Sequence, residues 1–108
     1  MLGVTIQDSG KTAIIRCPRR IVAGQDIHTL RRTVVSQRKR ETLVLDLAGV
    51  DAVDCSGLGL LVFLRRWAQV GGIEFFLASP RGYVRHLLEL MGLDSVFEIV
   101  SHVRQMAA

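Results

Sequence analysis

Cysteine, histidine, aromatic residues and long apolar runs are all scarce in this sequence, and each scarcity removes a class of explanation. Two cysteines among 108 residues, Cys17 and Cys55, make neither a disulfide framework nor a metal-ligand set. In a reducing compartment both are expected to be small, buried apolar residues. Cys55 carries a second reading, redox reactivity, because a helix N-terminus lowers a thiol's pKa, but it lacks a resolving partner. His28, His86 and His102 show no metal-ligand spacing, so no metal is expected. No glycine-rich phosphate cradle is present, so no cofactor is expected either. Aromatic residues make up 6% and do not interleave with the basic ones, which leaves direct nucleic-acid binding resting on charge alone. The longest uninterrupted apolar stretch, Leu60 to Leu64, is far too short to span a bilayer. Met1 to Ile6 shows no basic segment leading into a long apolar one, and Gly3 is not at the position myristoylation requires. The expectation is a cytoplasmic chain without membrane insertion.

What remains is ordinary globular usage, with 49% hydrophobic and 22% charged residues. A chain of 108 residues is enough for one domain, residues 1–108, with a real core. The net charge is +4 and the pI about 9.8, which permits acidic partners without establishing any.

Taken in order, Val4 to Asp8 and Lys11 to Cys17 flank a Ser9-Gly10 turn and read as a β-hairpin closed by Pro18. From Gln25 to about Arg38, Ile27, Leu30 and Val34 recur at helical spacing, with a basic cluster at the helix end. Thr42 to Leu47 reads as a strand buried on both faces. Ser56 to Val70 is a helix ended by Gly71-Gly72, and Ile73 to Leu77 a further strand. Ser79-Pro80 reads as N-cap and first helical residue of a helix over Arg81 to Met91, which buries Val84, Leu87, Leu88 and Met91. Ser95 to Val100 is a last strand, and Ser101 to Ala108 a helical tail. The order β, β, α, β, α, β, α, β implies an α/β fold: a mixed sheet of about five strands packed by about four helices.

The chemistry concentrates in Asp46–Gly59, DLAGVDAVDCSGLG. It follows the buried strand and opens a helix. Asp54 or Ser56 can act as N-cap, accepting from backbone N–H groups that have no helical partner. Gly57 and Gly59 let another molecule approach the backbone closely. A phosphate on Ser56 would be stabilised at the positive end of the helix dipole. At 100° per residue, Leu60, Leu64, Trp67 and Ala68 enter the core and Arg65, Arg66 and Gln69 face water. Leu58 and Val62 fall on the wet stripe beyond Ser56, a candidate docking surface. Cys55-Ser56-Gly57 lacks the flanking glycines of a nucleophile elbow, since Asp54 and Leu58 stand there, so no enzyme is expected.

Leu43–Arg66, LVLDLAGVDAVDCSGLGLLVFLRR, resembles the strand, D-[SC]-S-G-hydrophobic-G loop and helix of the STAS domain family of sulfate transporters and anti-sigma-factor antagonists. Gly71-Gly72, Ser79-Pro80 and Leu87–Ile99 extend the resemblance over nearly the whole chain. It implies a STAS-like fold and a partner switch. The unphosphorylated protein would bind an anti-sigma factor that is also a serine kinase; phosphorylation, here of Ser56, would separate the two, and a phosphatase would reset them. Any nucleotide or magnesium would then belong to the kinase. The implied partner surface is Asp54, Cys55, Gly57, Leu58, Gly59 and Val62, with Val22 and Ala23 from the loop before the first helix. One departure is visible: many antagonists carry an aspartate in that loop, and the aligned position here is Val22, with Asp26 four residues on. A second is Cys55 where serine is common. The resemblance also admits another role, a small STAS subunit of a lipid-transport ABC system docking on its ATPase. In either role the chain is expected to be a monomer or a weak dimer.

Overall fold

The computed structural model describes residues 3–103. Seven strands, three α-helices and one 3₁₀ turn follow in the order β1 (Thr5–Ser9), β2 (Thr12–Arg16), β3 (Arg20–Ile21), α1 (Gln25–Val35), β4 (Thr42–Asp46), β5 (Ala52–Val53), α2 (Cys55–Val70), β6 (Glu74–Ala78), α3 (Gly82–Leu90), the 3₁₀ turn (Leu93–Ser95) and β7 (Glu98–Val100). Five strands form a mixed sheet, ordered β1-β2-β4-β6-β7. Only the β1–β2 pair is antiparallel; β2–β4, β4–β6 and β6–β7 are parallel. Each parallel neighbour is reached through a helix, as parallel pairing requires. The expected architecture is therefore present, with three α-helices among the described residues where about four are expected for the chain. The expected helical tail, Ser101 to Ala108, falls mostly outside the described residues.

The alternation of side chains along each strand sorts the core. Ala13 and Ile15 of β2, Leu43 and Leu45 of β4, and Phe75 and Leu77 of β6 point to one face. There they meet Leu30 and Val34 of α1, Leu60, Leu61, Leu64 and Ala68 of α2, and Val84 and Leu88 of α3. The intervening residues Ile14, Val44 and Ala78 build a smaller cluster on the other face with Phe76, Val100 and Val103. β4 is thus buried on both faces over its whole length, which explains its nearly unbroken apolar run.

Several boundaries differ from the sequence reading. The last strand starts at Glu98 rather than Ser95, because Leu93–Ser95 forms the 3₁₀ turn, with the Val96 and Phe97 N–H groups both donating to the Leu93 carbonyl. The hairpin pairs Ser9 with Thr12, so its turn is Gly10-Lys11, one residue later than Ser9-Gly10. α1 stops at Val35, short of Arg38: Gln37 N–H donates to the Val34 carbonyl, and Arg40 is drawn to the hairpin, donating to Asp8 Oδ1 (2.7 Å) and the Gly10 carbonyl (2.6 Å). Ser79 does not cap α3. It sits at φ 58, its N–H donates to the Val100 carbonyl and its hydroxyl to the Ser101 carbonyl, so it extends the β6–β7 pairing. The helix starts later, with Arg81 as N-cap and no side-chain cap bond. Met91 is the C-cap residue, beyond the last buried turn, and is exposed rather than buried.

Leu45 and Leu64 are wholly buried in the main cluster. Leu45→Ala and Leu64→Ala should each lower the unfolding free energy by about 2–5 kcal/mol, through lost apolar burial and the cavity left behind. Urea unfolding monitored by circular dichroism measures this. Val70→Ala, at an exposed position, should stay within about 0.5 kcal/mol of the parent chain.

Candidate functional site

The site lies where the chain leaves β4 and enters α2. Leu47 to Asp51 turns away from the main sheet, and β5 then pairs with β3 in a separate two-stranded parallel ribbon, Arg20 opposite Ala52 and Ile21 opposite Val53. The ribbon is fastened at its start by an Arg19–Asp51 ion pair of 2.8 Å and by the Asp51 N–H on the Arg19 carbonyl. It brings the segment before α1 against the first turn of α2.

Asp54 completes the join. It is the N-cap of α2, in extended conformation, and its Oδ1 accepts from the Gly57 N–H at 2.8 Å. Its Oδ2 accepts from the Ala23 N–H at 3.0 Å. One carboxylate thus satisfies an orphan donor of the helix and a donor of the neighbouring loop. The Ala23 and then the Gly57 N–H groups hold the Asp54 carboxyl below the usual carboxylate range.

Gly57 permits that approach. A Cβ built there would lie 2.0 Å from the Ile21 carbonyl oxygen and 2.9 Å from a Val53 methyl, so backbone would have to move. Gly24 serves the same loop differently: as N-cap of α1 it sits at φ 123 and ψ −151, a region essentially open only to glycine.

With Asp54 as cap, Ser56 has no capping role. It is the second residue of α2, exposed, and its hydroxyl makes no hydrogen bond among the described residues. Cys55, expected to be buried, is exposed at the first helical position. Cys17 is buried, and burial pushes its thiol pKa up, with the nearby Asp46 charge adding to the effect. Val22 is half-buried and Ala23 exposed, both beside the α2 start, where the Ala23 backbone meets Asp54. Gly59 is exposed one turn on.

Two residues on the helix face differ from expectation. Leu58 is not outward-facing: it lies at the edge of the buried stripe, next to Gly57 and Leu61, and packs partly against the core. Trp67 likewise is only half-buried at the core's margin, and Leu61, unforeseen, is fully buried. Val62 is exposed at 43%, and Phe63, which sequence reasoning missed, at 40%. The Arg31 guanidinium of α1 stacks over the Phe63 ring, 4.4 Å from its centroid. Ser56, Gly59, Phe63 and Arg66 recur at helical spacing on one exposed stripe. That spacing, counted from Ser56, was the available signal for Phe63. Among the described residues no group of three or more metal-binding side chains comes together, and no helix is long and apolar enough to cross a membrane.

Gly57→Ala should separate the loop from the helix and lower the thermal midpoint, while Gly59→Ala, with open space around its Cβ, should not. Asp54 gives a pH signature. Its native pKa is depressed, so its stabilisation is fully present above the unfolded value of about 3.9 and is lost as pH falls through the lower native value. The midpoint advantage of the parent chain over Asp54→Asn should therefore hold at neutral pH and shrink below about pH 4. Thermal melts between neutral and acid pH read both effects.

Against this geometry, the comparisons with known proteins converge. The STAS domain profile matches residues 4–106. An anti-sigma-factor antagonist (STAS) domain protein from Planctomyces limnophilus superposes with a TM-score of 0.81 at 18% identity, covering 99% of this chain and 96% of that one. The Bacillus cell fate determinant SpoIIAA in its phosphorylated form gives 0.74 at 15% identity, with 96% of each chain covered. The unphosphorylated anti-sigma factor antagonist SpoIIAA gives 0.75 at 14%, covering 97% of this chain and 94% of that one. A segment of the murine anion transporter Slc26a9 also matches, at 0.65 and 22% identity, over 78% of this chain and 14% of the transporter. At these identities the superpositions show a shared fold, and the profile match over nearly the whole length shows the family. The chain belongs to the STAS domain family.

Proposed function

We propose that this chain is an anti-sigma-factor antagonist, a protein-binding switch whose Ser56 is phosphorylated by the anti-sigma serine kinase it binds. The observation that carries the reading is the division of roles between neighbours at the α2 N-terminus. Asp54 takes the structural work of capping, which leaves the Ser56 hydroxyl exposed and uncommitted among the described residues. A serine so placed can be modified without unmaking the helix. Its phosphate would lie near the positive end of the α2 dipole, which favours negative charge, so the free domain tolerates it. Inside an interface the same group brings nearly two negative charges into a desolvated space and expels the partner.

The partner surface in this reading is presented by Cys55, Gly59 and Val62, with Ala23 beside them, while Asp54, Gly57, Leu58 and Val22 shape it from below; a phosphatase restores the unmodified state. The determination of SpoIIAA in both phosphorylated and unphosphorylated forms supports the analogy. The second reading, a STAS subunit docked permanently on a transporter ATPase, draws on the likeness to a transporter segment and on Val22 in place of the family's loop aspartate.

Affinity capture from lysate of the native host separates the two, with the parent chain, Ser56→Ala and Ser56→Asp as baits. The switch predicts a serine-kinase ATPase retained by the first two and retained at least about tenfold less by Ser56→Asp, a loss of about 1.4 kcal/mol. Equal retention of that kinase by all three sinks the switch. An ABC ATPase held by all three would assign the transporter role.

A further inference from the structure

The charges of this molecule are unevenly paired. Lys11, Arg16, Arg19, Arg40 and Arg85 each lie against a carboxylate. The pairing fails on the face shared by α1 and α2. α2 contains no acidic residue, and α1 only Asp26, in its first turn. Arg31, Arg32 and Arg38 project from the α1 side and Arg66 from α2, all exposed. His28, Arg31, Arg32, Val35, Ser36 and Arg38 line a shallow depression of about 380 Å³ along α1. Arg31 leans from there onto Phe63 and joins the basic strip to the exposed stripe that starts at Ser56. The face therefore has an apolar centre, Val62 and Phe63, beside arginines that make no ion pair among the described residues; the Asp54 carboxylate at its Ser56 end is already held by the Ala23 and Gly57 N–H groups.

We infer that this face docks an acidic protein surface: a partner presenting an apolar residue or two, ringed by aspartates and glutamates. The inference rests on the reading of the Ser56 face as a partner surface and adds the partner's chemistry to it. An apolar centre with a charged rim is the anatomy of a protein interface. Nucleic acid fits less well, because the exposed Phe63 ring already has an arginine stacked on it and Trp67, one turn on, is half-buried at the core's margin, so neither is a free platform for successive bases. The arrangement also gives phosphorylation a direct electrostatic route. A phosphate on Ser56 carries the same sign as the partner's carboxylates. It repels them and competes for the same arginines.

The test follows backbone amide shifts of the full chain by NMR while defined probes are added. The first probe is an amphipathic helical peptide of about 18 residues, five turns long, with leucine and phenylalanine on one face bordered by glutamates. Its glutamine counterpart is the control. The acidic peptide should shift α1 and α2 resonances and bind at least about tenfold more tightly than the glutamine version. That margin should collapse as salt rises from roughly 0.05 to 0.5 M, where the screening length falls to a few ångströms. Arg31→Glu/Arg66→Glu should weaken binding about tenfold; Arg32→Glu/Arg66→Glu, which spares the Arg31–Phe63 stack, should do the same. Equal binding of the two peptides, or shifts elsewhere on the molecule, would overturn the inference. So would tighter binding on this face by a DNA duplex of roughly 20 base pairs or by phosphatidylserine vesicles, which would reassign it to nucleic acid or lipid. None of these measurements involves Ser56. Loss of the phosphorylation switch leaves them standing, and their failure leaves the switch standing.

Discussion

The carboxylate of Asp54 accepts from two backbone N–H groups on segments distant in sequence, Gly57 in the first turn of α2 and Ala23 before α1. Both acceptor oxygens are thereby used within the protein. The contact is possible only because Gly57 lacks a Cβ, so that the Ile21 carbonyl can sit against the helix. It is aligned by the β3–β5 ribbon, which sets Ile21 beside Val53 one residue before the cap. Carboxylate, glycine and ribbon form one constraint. Remove any member and the surface around Ser56 ceases to be a single surface.

That constraint explains how the loop accommodates valine at position 22. The join between loop and helix runs through the backbone of Ala23, not through a side chain. A hydrogen bond to backbone survives changes of the neighbouring residue, provided the loop keeps its path. Gly24, at a φ and ψ that other residues avoid, fixes that path. Position 22 can therefore hold valine without altering how the face is assembled.

The parts legible in the sequence are those whose burial imposes a period. β4 is covered on both faces and shows it as a continuous apolar run. The α1 stripe of Leu30 and Val34, and the α2 stripe of Leu60, Leu64 and Ala68, are set by the sheet they cover. The parts that escaped are set by contacts between distant segments. Two-residue strands such as β3 and β5 have no period to read. Whether Asp54 or Ser56 caps the helix turns on where Ala23 lies, which no local rule supplies. Leu58 reads as exposed on an ideal wheel, yet packs at the margin of the core, while Phe63 stays in water under Arg31. Ser79 adopts a left-handed φ because its N–H and hydroxyl both find carbonyls of the last strand and the residue beyond it. In each case a tertiary partner overrode a local preference.

The placement of Ser56 then follows from competition between two neighbouring side chains for the same job. Aspartate outcompetes serine at this cap, because its charge interacts with the helix dipole and its second oxygen can hold the loop. Had Ser56 been the cap, phosphorylating it would have exchanged a neutral acceptor for a bulky dianion in the middle of the loop–helix join. Chemistry at the hydroxyl would then have been coupled to the folding of the site. With Asp54 in that position, a charge can be added to the surface while the scaffold below it stays unchanged. A switch that must be reset repeatedly needs that separation, since each cycle otherwise includes local unfolding and refolding of the helix start.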